Sequence, residues 1–379
     1  MDNIQIDFNK PCLVGNELSY IAQTFEKSHI SGDGYFSKQS QQLIEIELNV
    51  PKVLLTTSCT HALEMAALCL DIQPGDEVIV PSFTFVSSIN AFVLRGAVPV
   101  FVDIRPDTLN IDERQLEQHI TPRTKAIIVV HYAGVSCEMD TILAIARRYN
   151  IPVIEDNAHG LFGKYKGKYL GTFGCMATQS FHETKNITCG EGGALLINDI
   201  QFIERAEIIR EKGTNRSRFF QGLIDKYTWV DVGSSYLPSD ILAAVLYAQL
   251  ERWPEIQQKR KQIWDYYYLN IRAWAEPHGI KLPTVPEDCD QTYHMFYLML
   301  PSLEIRKLLM DHLRERGVVT VFHYQPLHLS EYGRRFGGKQ GDCPVTEMAA
   351  DCLLRLPLYY DLTEHDLDQV IAGLYQFEY

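Results

Sequence analysis

A lysine, an aspartate, an aromatic ring and a cluster of hydroxyls stand in this sequence where polar or exposed side chains need a reason. Lys185 follows a small, apolar run that starts at Ala177, and the glycine-rich turn Gly190-Glu-Gly-Gly193 comes soon after it. At the end of a core strand, under a flexible loop, a lysine is partly desolvated. Desolvation disfavours the ammonium and leaves neutral amine able to attack a carbonyl. The competing reading is a surface lysine in a strand-to-strand turn, because buried lysines are rare. Asp156 ends another apolar run, 152–155, and an acid there is costly unless it meets a cation. A protonated pyridine nitrogen or an arginine would serve. His159, three residues on, is either a donor beside that acid or a satisfied polar residue. Ser58, Cys59 and Thr60 open a helical pattern after the strand-like run 53–56. Such a turn binds phosphate through backbone N–H groups and hydroxyls, or simply caps its helix. Phe85 lies near the same edge, as a stacking face or as core, and Ser180 can add a hydroxyl to the phosphate cup.

One chemistry uses the whole set. Pyridoxal 5′-phosphate needs a lysine for its Schiff base, a carboxylate to keep its ring nitrogen protonated, an aromatic face and a phosphate cradle. Lys185, Asp156, Phe85 and the turn at Ser58, Cys59 and Thr60 with Ser180 are those four parts.

The elements that must position them follow from hydrophobic pattern. Helices are expected at 15–27 and 37–48, separated by the glycine loop Ser31-Gly-Asp-Gly34. Strands at 53–56, 77–81, 98–104, 126–130 and 152–155 alternate with helices at 61–70, 85–94, 112–120 and 140–149. Continuous β-branched strands between helices predict an α/β fold with a mainly parallel, doubly wound sheet. Ligands of such sheets sit beyond the carboxyl ends of the strands, where the candidate residues fall. Further on, 239–250 is apolar and helical, and Pro254 restarts a helix over 255–273. Strands at 296–300 and 318–322 flank a helix at 303–316, and a helix at 364–375 takes Thr363 as its cap. These compose a smaller α+β unit. His323, Tyr324 and His328 lie beside its second strand and either face a substrate or end the strand.

Composition bounds the partners. A chain of 379 residues exceeds one usual core, so two domains are expected. A net charge of −13 argues against nucleic acid or an anionic membrane as partner. Nine cysteines without a zinc-type or disulfide-type spacing predict no metal site and a reducing, cytoplasmic setting. The start, Met1-Asp-Asn-Ile-Gln, does not have the pattern of a signal peptide, and no run is long enough to span a bilayer. Against the acidic background, Lys212, Arg216, Arg218 and Lys226 form a basic loop, either solvated or holding a diphosphate.

Over essentially its whole length the chain resembles the nucleotide-sugar aminotransferases of the DegT/StrS type, which are fold type I enzymes. The carrying motifs are Thr57-Ser-Cys-Thr60, Pro81-Ser-Phe-Thr-Phe85, His131-Tyr-Ala-Gly134, Glu155-Asp-Asn-Ala-His-Gly160, Ser180-Phe-His-Glu-Thr-Lys-Asn186, Gly190-Glu-Gly-Gly193 and His323-Tyr-Gln-Pro-Leu-His328. The resemblance implies an aspartate-aminotransferase-like large domain over 1–238 with a mainly parallel mixed sheet, and a smaller α+β domain over 239–379. It implies Lys185 as the catalytic Schiff-base lysine and Asp156 on the pyridine nitrogen. Phe85 would stack on the ring, His159 would approach the ring hydroxyl, and Ser180, Cys59 and Thr60 would hold the phosphate. A homodimer with its site at the subunit interface is also implied. Many family members place a partner-subunit asparagine on the phosphate. Here the matching segment is Tyr236-Leu-Pro-Ser-Asp240, leaving Ser234, Ser235 or Tyr236 for that role.

Glu211-Lys-Gly-Thr-Asn-Arg-Ser217, Asp225-Lys-Tyr-Thr-Trp229 and Gly233-Ser-Ser-Tyr236 narrow the similarity. They resemble the members that aminate C4 of dTDP-4-oxo-6-deoxy-D-glucose for enterobacterial common antigen. That implies L-glutamate as donor, and 2-oxoglutarate and dTDP-4-amino-4,6-dideoxy-D-galactose as products. Amination at C3, a gluco product, or a silent ligand-binding protein on the same fold remain the alternatives. Dehydration of a keto-sugar is opposed by Lys185, which the dehydratase variants of the family lack.

Overall fold

The computed structural model describes residues 6–220 and 222–378. Helices α1 (Glu17–Glu26) and α2 (Tyr35–Leu48) precede the alternating section. There the order is β1 (Lys52–Thr56), α3 (Cys59–Cys69), β2 (Glu77–Pro81), α4 (Ser87–Val93), β3 (Val98–Val102), β4 (Thr124–Val130), α5 (Met139–Tyr149) and β5 (Val153–Asp156). Two short strands, β6 (Lys164–Tyr165) and β7 (Lys168–Tyr169), lead to β8 (Met176–Ser180) and β9 (Gly193–Ile197). Then come α6 (Ile203–Arg210), α7 (Arg216–Phe220), α8 (Asp240–Glu251), α9 (Trp253–Ala275) and β10 (Cys289–Asp290). The chain closes with β11 (Phe296–Met299), α10 (Leu303–Glu315), α11 (Pro344–Cys352), β12 (Leu353–Leu356) and α12 (Glu364–Tyr375).

Seven strands make one sheet in the order β1-β9-β8-β5-β4-β2-β3. It is mainly parallel and mixed, as the sequence predicts, because β9 alone runs antiparallel to both its neighbours. Successive strand residues point to opposite faces, and helices cover both. Leu54, Val78, Val80, Ile128 and Ile154 pack with α3 and α4 on one side. Val53 and Leu55 pack with α2 and α8, and Ile79, Ile127 and Val129 with α5, on the other. The central residues of β1, β2, β3 and β4 are apolar for that reason.

A second core gathers Trp264, Tyr267, Phe296, Leu313, Leu354 and Leu374 from α9, α10, α12 and the antiparallel pair β11-β12. Helix α8 belongs by packing to the first core, where Ala243, Ala244, Leu246 and Leu250 meet Val53, Leu55 and Leu196. We propose that the division between the two units falls inside α9, between Ile256 of the first core and Ile263 of the second, rather than at 238/239.

Three local expectations change. Residues 112–120 form two short 3-10 turns, Glu113–Gln115 and Glu117–His119, not a helix. Asp112 accepts from Arg114 N and from the side chains of Arg114 and Gln115, closing the first turn on itself. Residues 318–322 form isolated bridges, Ile6 to Val318 and Val321 to Arg355, instead of a strand. The partner of β11 is β12, which follows α11 with no turn residue to announce it. Elsewhere the cap reading holds: Thr363 and Asp366 form a reciprocal capping box at the start of α12. Among the described residues no helix is long and apolar enough to cross a membrane.

Candidate active site

The carboxyl ends of β4, β5 and β8 lie side by side, with Val130 opposite Asp156 and Asp156 opposite Thr178. Beyond them opens a cavity of about 370 Å³. Its lining includes Ser58, Cys59, Thr60, Phe85, Asp156, His159, Ser180 and Lys185, all of the cofactor residues expected from sequence. His323 and Tyr324 also line it.

Asp156 is buried, and burial pushes its carboxyl above the usual carboxylate range. Two donors oppose that. Ser88 Oγ donates to Oδ2 at 2.6 Å and Ala158 N to Oδ1 at 3.2 Å. Lys185 lies in the turn after β8 rather than on the strand itself. Burial lowers its ammonium to about 8, so a sizeable neutral fraction exists near neutrality. The turn closes on itself through Phe181 N to Gly192 O at 2.8 Å and Glu183 N to Gly190 O at 2.9 Å. Asn186, next to Lys185, donates through Nδ2 to Thr292 O at 2.7 Å, and its Oδ1 lies 2.9 Å from His294 Nδ1.

His159 stacks on His294 with ring centroids 4.2 Å apart. Burial and the nearby positive groups hold both imidazoles well below their ordinary range, so both are neutral. His159 Nδ1 is buried and has no protein partner. Phe85 is 58% exposed, which is unusual for phenylalanine and suits a ring that meets a ligand.

The other end of the cavity is built by three strand ends. Gly193 of β9 pairs with Thr56 of β1 on one side and with Ser180 of β8 on the other. A Cβ on Gly193 would stand 2.3 Å from Ser58 C and 2.4 Å from Cys59 N. Only glycine therefore lets β9 lie against the start of α3. Ser58 caps α3, accepting from His61 N at 3.1 Å, and the N–H groups of Cys59 and Thr60 begin the helix.

These features fit pyridoxal phosphate. The buried carboxylate suits a cationic ring nitrogen, the orphan His159 nitrogen suits a ring oxygen, and the exposed Phe85 suits the ring face. The helix start hemmed by Gly193 and Ser180 suits the phosphate.

Other expected residues lie apart from the cavity lining. Tyr236 is buried, with its hydroxyl 3.2 Å from Glu64 Oε2 and its ring beside His61. His328 is fully buried between Ser82 Oγ, at 2.6 Å from Nδ1, and Glu347 Oε1, at 3.0 Å from Nε2. Lys212 is exposed and Arg216 half-buried, and both lean on Glu211, at 3.3 and 3.7 Å. Sequence reasoning passed over Ser88, His294 and Arg355. Arg355 is the most consequential, because it brings a cation from β12 into the lining. The run Leu353-Leu-Arg-Leu356 held the signal, a charge interrupting an apolar strand.

Comparison with known proteins defines the class. The family model of the DegT/DnrJ/EryC1/StrS aminotransferases matches residues 11–375, and the chain belongs to that family. It is a pyridoxal-phosphate-dependent sugar aminotransferase. The protein MJ1066 of Methanocaldococcus jannaschii, which carries no assigned activity, is 34% identical over 372 residues, 96% of this chain and 95% of its own. The aminotransferase TlmJ from Streptoalloteichus hindustanus is 30% identical, with a TM-score of 0.89 over 98% of each chain. The PLP form of the sugar aminotransferase Spr1654 from Streptococcus pneumoniae is 28% identical, with a TM-score of 0.89 over 97% of each chain.

Proposed function

We propose that this enzyme transfers the amino group of L-glutamate to C4 of dTDP-4-oxo-6-deoxy-D-glucose, giving dTDP-4-amino-4,6-dideoxy-D-galactose and 2-oxoglutarate. The observation that carries the chemistry is that Asp156, at the end of β5, and Lys185, in the turn after β8, line one cavity with a phosphate-type helix start. The choice of sugar is supported by the motif similarity at 211–217, 225–229 and 233–236.

Pyridoxal phosphate, when bound, supplies an aldehyde that accepts the amino group and a ring that takes up negative charge from the donor's α-carbon. The chain supplies the rest. Lys185 Nζ would anchor the group covalently, then take the proton from the donor's α-carbon and, in the second half-reaction, return one to the sugar C4. Asp156, held in place by Ser88 and the Ala158 N–H, would keep a proton on the pyridine nitrogen. His159 Nδ1 would meet the ring oxygen. Phe85 would cover one ring face and shield it from water. Ser58, Cys59, Thr60 and Ser180 would hold the phosphate. His323 and Tyr324 face the sugar.

We assign Lys212 and Arg216 to the diphosphate of a substrate bound across a homodimer interface. Support comes from the apolar surface beside them: Leu223, Tyr227 and Trp229 are exposed, Trp229 at 78%. A patch of this kind is what subunit contacts cover. Tyr236, turned onto Glu64, and His328, held by Ser82 and Glu347, are given positioning roles instead of substrate contacts.

The test is incubation of the holoenzyme with L-glutamate and dTDP-4-oxo-6-deoxy-D-glucose, followed by NMR of the product. A small coupling between sugar H3 and H4 is expected for the galacto amine. A large coupling would assign the gluco product, and absence of an amino sugar would overturn the substrate reading.

A further inference from the structure

Two other buried arginines spend their terminal nitrogens on protein acceptors, although Nε of Arg210 has no partner. Arg210 forks onto Asp33 at 2.6 and 2.9 Å. Arg260 donates to the carbonyls of Tyr293, His294 and Leu358. Arg355 is different. Arg355 lines the cavity with Lys185, and its Nη1 donates to His323 Nε2 at 2.5 Å. The ring of Phe8 covers it at 4.7 Å, while Nε has no partner. Among the described residues no carboxylate pairs with it. The backbone is fixed: Arg355 N donates to Val321 O at 2.7 Å, and Arg355 stands opposite Tyr297 on β11.

His323 does not neutralise this charge. A guanidinium only donates, so His323 Nε2 carries the lone pair and Nδ1 the proton, which goes to the Tyr132 oxygen at 3.1 Å. The imidazole is neutral, held so by burial and by Arg355 itself. A fixed, uncompensated cation therefore faces the cavity from β12, an element separate from the phosphate cradle on β1, α3, β8 and β9.

We propose that Arg355 receives a carboxylate of the amino-acid donor, and that this ion pair belongs to the first half-reaction alone. Two substrates occupy the cavity in turn. The amino acid brings paired carboxylate oxygens that match the planar guanidinium fork. The keto-sugar presents a neutral carbonyl and hydroxyls around its reacting carbon, and its charge sits on the diphosphate. Arg355 thus lets one cavity recognise an anionic and a neutral reactant. The inference rests on the aminotransferase reading but does not depend on glutamate being the donor.

The experiment follows each half-reaction separately by the absorbance of the bound cofactor, in Arg355→Gln and Arg355→Lys holoenzyme. The donor concentration for half-maximal conversion is expected to rise about 100-fold in Arg355→Gln, and about tenfold in Arg355→Lys, which keeps charge without the fork. The keto-sugar half-reaction, started from the amino form, should change less than about threefold. Calorimetry with glutarate, an unreactive dicarboxylate, should show the same order of loss. Unchanged donor dependence, or equal loss in both halves, would overturn the proposal. Cofactor absorbance and melting temperature of Arg355→Lys separate these outcomes from misfolding. If another amino acid proves to be the donor, the glutamate reading falls, and the same comparison with that amino acid still tests Arg355.

Discussion

Ser88 Oγ donates to Asp156 Oδ2 across 2.6 Å, and Thr84 Oγ1 lies 2.8 Å from the same hydroxyl. The aspartate that a ring nitrogen would meet is thereby aimed by two residues from the loop and helix after β2. The bond also resists burial, which alone would favour the neutral acid. In Ser88→Ala, Asp156 should lose orientation and rise further. The expected result is a kcat about tenfold lower with substrate KM values nearly unchanged, and Ser88→Thr should recover most of it. Steady-state kinetics over both substrates decides; a KM effect alone would contradict the aiming role.

Lys185 makes a pH prediction for the cofactor-free enzyme. Its amine is lowered to about 8 from 10.5. Its labelling by an amine reagent, followed by peptide mass spectrometry, should titrate near 8, while exposed lysines titrate above 10. The linkage sign follows. Between these two values the unfolded chain binds more protons at this residue than the folded one. The Lys185 contribution to stability therefore increases as pH rises across that window. Lys185→Met should remove the increase, measured as melting temperature against pH relative to wild type.

Gly193→Ala would push a methyl group to 2.3 Å from Ser58 C, where there is no flexible side chain to yield. The start of α3 must move. Overpacking of this kind costs about 1–3 kcal/mol. Cofactor affinity should fall by about tenfold or more if the same helix start holds the phosphate. Equilibrium dialysis of the cofactor checks this, and affinity equal to wild type would remove β9 from the phosphate site.

His328 fastens the segment that carries His323 and Tyr324. Leu327 N donates to Ser82 O at 3.0 Å, and His328 N to Ser82 Oγ at 3.2 Å. His328→Ala leaves Ser82 and Glu347 short of a partner and should cost about 2 kcal/mol of stability. Activity should fall in both half-reactions together. A sugar-specific KM defect in a fully stable variant would instead make His328 a substrate ligand.

Much of the site was legible because a parallel α/β sheet puts chemistry at predictable places. Asp156 ends its strand, Phe85 and the turn at Ser58 follow theirs, and Lys185 is flagged by the glycines behind it. Legibility ended where meaning depends on a distant partner. His328 and Tyr236 read as polar residues near an edge, and only Ser82, 246 positions away, and Glu64, 172 away, show what they hold. Arg355 was hidden for a related reason. The expected strand at 318–322 became isolated bridges, and the pairing that puts Arg355 into the cavity belongs to β12.

The reversal of β9 governs how the nucleophile can move. A parallel return after β8 would have needed a crossover, usually a helix, that carries the chain back to the other end of the sheet, and the lysine would ride on that excursion. Running back beside β8 instead, the chain forms a compact hairpin stitched from Phe181 to Gly192. Lys185 can then swing on its own methylenes while its backbone stays still. Amide hydrogens at Phe181 and Glu183 should accordingly exchange slowly throughout turnover.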